Sequence, residues 1–304
     1  MKRPGVMLWM LLLALLSFGV WTPDLSRAEL ESRYLDSPAD LRPVGPWRLH
    51  VRDRGPRQAP VVVLLHGFGA SLQTWDPWAL ALSKTHRVIR LDLPGSGLSP
   101  PDPANDYTDA RSLQLLLHVL DDLGVSRATI VGHSLGGRIA WTFAAQHPER
   151  TERLVLIAPD GFASEGFDYG KPPQVPAILG WMRYVLPQFV LRMNLQGAYA
   201  HADHLSDALT ARYHDLLRAP GARQAMLERL KQTVLQEPQP MLRQIKAPTL
   251  LVWGQADAMI PASNAQDYLQ AIAGSRLFLC PGVGHLPHEE AAEVSLKAVL
   301  DFLR

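Results

Sequence analysis

The sequence predicts an α/β fold, a mostly parallel sheet covered by helices on both faces and interrupted by a helical insertion. Three observations carry this. β-branched apolar runs alternate with helix-length amphipathic segments, the pattern of strand–helix–strand units. Residues 61–65 (Val-Val-Val-Leu-Leu) are apolar throughout, as in a strand buried on both faces. The alternation stops after residue 161, gives way to proline-broken helical pattern from 162 to 245, and then resumes.

In chain order, residues 47–53 alternate as a strand, and Arg54-Gly55-Pro56 makes a turn. The 61–65 strand is followed by a helical segment at 71–83 and a strand at 88–91. Residues 107–123 form a helix with Leu113, Leu116, Leu117 and Leu120 on one face. A strand at 128–131 runs into Gly132-His133-Ser134-Leu135-Gly136, then a helix to about 147 and a strand at 154–157. Insertion helices are expected at 175–194, 203–218 and 221–236. The core resumes with a strand at 249–253, a helix at 262–272, a strand at 276–280 and a helix at 288–303.

Composition bounds the function. The 304 residues are 47% hydrophobic and 19% charged, with formal net charge +1 and no dense basic stretch in the body, so nucleic acid is not an expected partner. The single cysteine, Cys280, excludes an internal disulfide and argues against a thiolate metal site; it is expected to fill core space. No metal or cofactor site is marked. At the N-terminus, Lys2 and Arg3 precede an apolar run from Val6 to Trp21, broken by Ser17 and Gly19, with Ser26-Arg27-Ala28 as a small-x-small cleavage site. Residues 1–28 are therefore expected to be a signal peptide or an uncleaved membrane anchor, and the body to lie across the membrane, periplasmic or secreted.

The strand ends carry the chemistry. Ser134 stands at the tip of a sharp strand-to-helix turn, where a hydroxyl can reach a substrate. Such a serine needs a base, and the base needs an acid. His285 ends Pro281-Gly282-Val283-Gly284-His285 after the last strand. Asp257 follows the strand at 249–253 and precedes His285 by 28 residues. Asp160 is the competing acid, and Asp92 reads as turn chemistry. His66 and His133 flank the site in tight turns, where structural roles are expected, and His288 is expected to open the last helix. Backbone N–H groups of Leu135 and Phe68 are placed to receive an oxyanion.

These residues resemble the α/β-hydrolase superfamily, in its serine esterase, lipase and haloperoxidase-like branch. The resemblance spans residues 47–304. It rests on His66-Gly67-Phe68-Gly69, Asp92-Leu93-Pro94-Gly95-Ser96-Gly97-Leu98-Ser99, Gly132-His133-Ser134-Leu135-Gly136-Gly137, Gly254-Gln255-Ala256-Asp257 and Gly282-Val283-Gly284-His285. It implies an eight-stranded, mostly parallel sheet formed by residues 29–161 and 246–304, with residues 162–245 as a helical cap. It also implies Ser134 as nucleophile, His285 as base, Asp257 as acid, and Phe68 and Leu135 as oxyanion donors. Haloalkane dehalogenases and soluble epoxide hydrolases carry aspartate at the nucleophile position, unlike Ser134. Carbon–carbon hydrolases of ring-cleavage products often have Asn before the serine and Trp after the histidine, where this chain has His133 and Leu286. Proline iminopeptidases usually place a Gly-Gly-Ser-Trp-Gly elbow there, which this chain does not.

The expected reaction is hydrolysis of a small hydrophobic carboxylic ester through an acyl-enzyme. An acyltransferase, a carbon–carbon hydrolase and a non-catalytic binding protein on the same scaffold remain as alternatives. Trp181, Met182, Tyr184, Phe189 and Met193 are expected either to line an apolar pocket or, individually more often, to pack the cap on the core.

Overall fold

A computed structural model describes residues 21–164 and 166–304. The apolar run at 6–20 lies outside the described residues. The strands are β1 (Leu41–Val44), β2 (Trp47–Arg54), β3 (Val61–Leu65), β4 (Arg87–Leu91), β5 (Ala128–His133), β6 (Thr151–Ile157), β7 (Thr249–Gly254) and β8 (Arg276–Cys280). They form one eight-stranded sheet in the order β1-β2-β4-β3-β5-β6-β7-β8. The two pairs involving β2 are antiparallel and all others parallel. The mostly parallel eight-stranded sheet is as expected.

The helices are α1 (Arg27–Tyr34), α2 (Asp76–Leu82), α3 (Asp109–Asp122), α4 (Leu135–Gln146), α5 (Gln188–Gln196), α6 (Asp207–Leu217), α7 (Ala222–Gln232), α8 (Gln239–Leu242), α9 (Ala265–Ala271), α10 (Pro287–Glu290) and α11 (Ala292–Leu303). Two apolar layers sandwich the sheet. One packs Leu113, Leu116, Leu120, Ile139, Phe143 and Trp253 together. The other packs Trp75, Trp78, Val131, Val252, Cys280 and Val299. Alternate residues of the central strands point into opposite layers, which is why these strands are apolar throughout.

Proline reshapes the first helix of the insertion. The expected helix at 175–194 is instead a 3-10 turn, Ala177–Arg183, then α5, because Pro187 can only enter a helix at its start. The last expected helix opens one residue earlier, at Pro287, and breaks at Ala291 into α10 and α11. β1 was not legible: it is a four-residue edge strand holding Pro43.

The segment 21–28 is built into the molecule. Ser26 caps α1 in a reciprocal capping box with Glu29, and Leu30 is buried. Asp24 pairs with Arg223 at 2.6 Å, and Leu25 N–H donates to the Arg218 carbonyl at 2.8 Å.

Candidate active site

Ser134 sits between β5 and α4 with φ 51° and ψ −117°, backbone space that side chains rarely occupy. The strain is held by the chain around it. Ser134 N–H donates to Ile157 O, and its carbonyl accepts from Arg138 N–H and Asp160 N–H, each at 3.0 Å. A Cβ at Gly136 would lie 2.3 Å from the Leu65 carbonyl oxygen, so only glycine lets α4 start this close to β3. The Ser134 hydroxyl makes no capping bond to α4.

The loop after β8 brings His285 beside Asp257. Nδ1 of the ring meets Asp257 Oδ2 at 2.8 Å, and both residues are buried. Oδ1 of the same carboxylate accepts from Met259 and Ile260 N–H at 2.8 and 2.9 Å. A carboxylate only accepts, so the ring proton lies on Nδ1 and Nε2 is left with a free lone pair. Asp160, the competing acid, pairs instead with buried Arg138 at 3.2 Å.

Leu135 is the first residue of α4, so its N–H is one of those a helix leaves unpaired, at the end where the helix dipole favours negative charge. Phe68, on the loop after β3, lines a narrow cleft together with Leu135, Tyr213, Leu217 and Met226. The free space among them is about 20 Å³, roughly the room one water needs.

The surrounding histidines are structural in geometry. His66 Nε2 accepts from Leu93 N–H at 3.0 Å. His133 Nε2 donates to the His285 carbonyl at 2.9 Å, fixing the base loop from below. The His133 ring lies 4.6 Å from both His285 and His288. Burial lowers the pKa of all three structural rings: His66 below the ordinary range, His133 well below it, and His288 to about 3. His285 is therefore backed by neutral imidazoles. Asp92 does more than shape a turn. It is fully buried, accepts from Leu72 and Leu98 N–H at 2.7 and 2.8 Å, and meets His50 Nδ1 at 2.7 Å. Burial alone would raise its pKa, but these partners outweigh it and hold the carboxyl below its ordinary value.

Two carboxylates escaped the sequence reading. Glu290 accepts from Gly284 N–H at 2.6 Å, and from Ala200 and His201 N–H at 3.2 and 3.0 Å. His285 N–H itself donates to the Ala198 carbonyl at 2.7 Å. Glu289 accepts from Tyr199 and Arg212 at 2.6 and 2.7 Å. The insertion is thus fastened to the loop that carries the base. Two adjacent acids at a helix start read as ordinary N-terminal residues, and no sequence signal told them apart.

The insertion's large apolar residues do not fall as expected. Trp181, Tyr184, Phe189 and Met193 neither line the cleft nor pack on the core; they are exposed, and Met182 is half-buried without lining the cleft. Leu186 and Leu191 make the inward contacts instead, with Ala70, Tyr213 and Leu217.

A mostly parallel sheet with a half-buried serine elbow and an Asp–His pair at its carboxyl edge defines a hydrolase scaffold, and the chain belongs to the α/β-hydrolase fold family, whose model matches residues 60–292. Among its relatives is the 2-hydroxy-6-oxononadienedioate/2-hydroxy-6-oxononatrienedioate hydrolase of Escherichia coli K12. That enzyme is 30% identical over 265 residues, 84% of this chain and 91% of its own length. Two solved structures are similar. An enol-lactonase from Burkholderia xenovorans LB400 superposes with TM-score 0.71 at 27% identity, covering 86% of this chain and 98% of its own. A membrane phospholipase A superposes with TM-score 0.73 at 25% identity, covering 99% of this chain and 98% of its own.

Proposed function

We propose that this protein is a serine hydrolase that cleaves a hydrophobic carboxylic ester through an acyl-enzyme on Ser134. The observation that carries the reading is the Asp257–His285 pair, with its free Nε2, on the sheet edge that also presents the strained Ser134 elbow. His285 Nε2 takes the Ser134 proton as Oγ attacks the carbonyl carbon. The oxyanion is received by the N–H groups of Phe68 and Leu135. The C–O bond to the alcohol breaks, and His285 returns the proton to the leaving oxygen. Water, deprotonated by His285, then releases the acid and restores Ser134.

Residues 162–245 act as the cap in this reading. The cleft beside Phe68 and Leu135 has room for about one water, and a shift of the cap would widen it for a substrate. Lactonase and phospholipase A are the named activities of the two similar structures, and both are ester cleavage. A carbon–carbon hydrolase is the second reading, favoured by the likeness to the oxononadienedioate hydrolase. His133 and Leu286, in place of Asn and Trp, weigh against it.

The apolar run from Val6 to Trp21 serves as a retained anchor rather than part of a cleaved leader, and the body lies on the far side of the membrane. Support comes from the fit of residues 22–28, whose cap box, Asp24–Arg223 pair and buried neighbour Leu30 would be cut apart by cleavage after Ala28. The mass of the mature chain tests this directly.

The test of the chemistry is a panel of esters graded by acyl length beside a 2-hydroxy-6-oxodienoate, with wild type and Ser134→Ala. Ester turnover, fluorophosphonate labelling of Ser134 and loss of about a millionfold in the variant are expected. Ester cleavage that survives in a folded Ser134→Ala protein would refute the mechanism, and turnover of the dienoate alone would favour the second reading.

A further inference from the structure

We propose that the exposed apolar face of the insertion is a docking surface for a lipid bilayer, seating the cleft at the membrane surface. Two consecutive elements build this face. On the 3-10 turn Ala177–Arg183 and its cap, Ile178, Trp181 and Tyr184 recur every third residue, the spacing that aligns side chains along one face of such a helix. They are 70%, 63% and 43% exposed. On α5, Phe189, Val190 and Met193 point outward while Leu191 points in, and Phe189 and Met193 are 65% and 67% exposed. Large apolar side chains in two successive elements, all turned to solvent, are not the scattered singles of an ordinary surface.

The occupant is identified by where the chain enters. Trp21 stacks on Tyr184 with ring centroids 5.6 Å apart, and is itself 53% exposed. Thr22 N–H donates to the Tyr184 carbonyl at 2.8 Å, and Thr22 Oγ1 accepts from Leu186 N–H at 3.0 Å. The apolar run that starts at Val6 therefore joins the body on this face, and not on the sheet edge or the core helices. A run of this composition behind Lys2 and Arg3 belongs in hydrocarbon. Its insertion would bring the insertion's aromatic face to the bilayer surface with no intervening linker. Trp21, Trp181 and Tyr184 are the residue types that settle at the headgroup level. Arg183, its guanidinium 5.4 Å from the Tyr184 ring centre, suits contact with anionic headgroups. The face adjoins the cleft through Leu186 and Leu191, which pack on Tyr213 and Leu217 of the cleft wall. A substrate in the facing leaflet would then reach the site without crossing water, and on the ester reading, on which this rests, the substrate class is an amphiphile of the membrane.

The test uses the full chain reconstituted in vesicles of phosphatidylcholine and phosphatidylglycerol. Cys280 is buried, with its thiol pKa pushed by burial to about 12, so a cysteine introduced elsewhere takes up an environment-sensitive dye selectively. Dye at Met193→Cys is expected to shift to the blue and to be quenched by doxyl-labelled lipid. Dye at Leu80→Cys, on the core helix α2, is expected to do neither. The triple variant Trp181→Ser/Phe189→Ser/Met193→Ser changes only exposed residues. It should keep its melting temperature and its turnover of a dissolved short-chain ester, and lose about tenfold or more of its activity on esters held in vesicles. The dye readout requires no catalysis, so failure of the ester reading leaves it intact. A dye at 193 that stays in water in the reconstituted protein overturns the proposal. So does a dye already shielded before vesicles are added, which would place the leading segment over the face. A dimer that the triple variant dissociates would place a second copy there, with the same consequence.

Discussion

His288 is a fully buried imidazole packed against Trp75. The ring has no exposed surface and lies 4.3 Å from the Trp75 ring centre, with Nε2 at 2.9 Å from the Thr74 hydroxyl and Nδ1 without a partner. Burial first, then the nearby His285 and Arg212, lowers its pKa to about 3. An unfolded histidine titrates near 6.5. Between these values the unfolded chain binds a proton that the folded chain refuses. Stability is therefore full above about pH 6.5, falls as the pH drops, and levels off only near 3. Each pH unit is worth about 1.4 kcal/mol, so acidification from 6.5 to 5 costs about 2 kcal/mol through this ring. His133, depressed for the same leading reason, adds loss of the same sign. The assay is urea unfolding from pH 5 to 8 for wild type and His288→Phe. Phenylalanine keeps a ring on Trp75 and forfeits the Thr74 bond, a loss of about 1 kcal/mol at every pH. The variant should be the weaker protein above pH 6.5 and the stronger by about 1 kcal/mol at pH 5. Parallel stability curves for the two proteins would refute the reasoning, because they would mean that the ring accepts its proton without unfolding.

Other outcomes follow from the site. Asp257→Asn keeps the shape but leaves His285 Nδ1 without an accepting carboxylate; turnover should drop on the order of ten-thousandfold with an unchanged circular dichroism spectrum. Glu290→Gln trades an acceptor for a donor opposite backbone N–H groups, and should cost roughly 1–3 kcal/mol in thermal unfolding while lowering kcat more than it raises KM. Gly254→Ala would put a Cβ 1.9 Å from the Gly284 carbonyl oxygen. The displaced His285 loop should reduce kcat by about a hundredfold in protein that still melts cooperatively.

The legible parts of this molecule were those set by local pattern. Seven strands announced themselves, six through apolar runs and that at 47–53 through alternation, and Ser134, Asp257 and His285 through their places at strand ends. The structure brings Asp257 to His285 and gives Asp160 to Arg138, a choice that the spacing favoured. What was not legible depends on partners distant in sequence. Glu290 meets Ala200 and His201 across 90 and 89 residues, and Arg138 bridges Asp109 and Asp160 from within an apolar helix. The insertion misled most. Aromatic composition told which residues were large, but not that the helix entered at Pro187 would bury Leu191 and leave Phe189 and Met193 outward.

The bond from His285 N–H to Ala198, and those from Ala200, His201 and Gly284 N–H to Glu290, have a consequence for how such a protein can change over generations. Drawn along the chain, the border of the insertion lies at 162 and 245; drawn by the forces, residues 198–201 belong with the base. The solvent-facing positions of residues 175–196 can vary while the reaction centre keeps its shape, whereas Leu186 and Leu191 are held to the cleft wall. A transplanted insertion from a relative would have to bring its own version of 198–201, or inherit a base loop with nothing to hold it. New substrates are thus reached most easily by altering the solvent-facing positions of the outer stretch, and residues 198–201 form a junction that recombination is expected to leave whole.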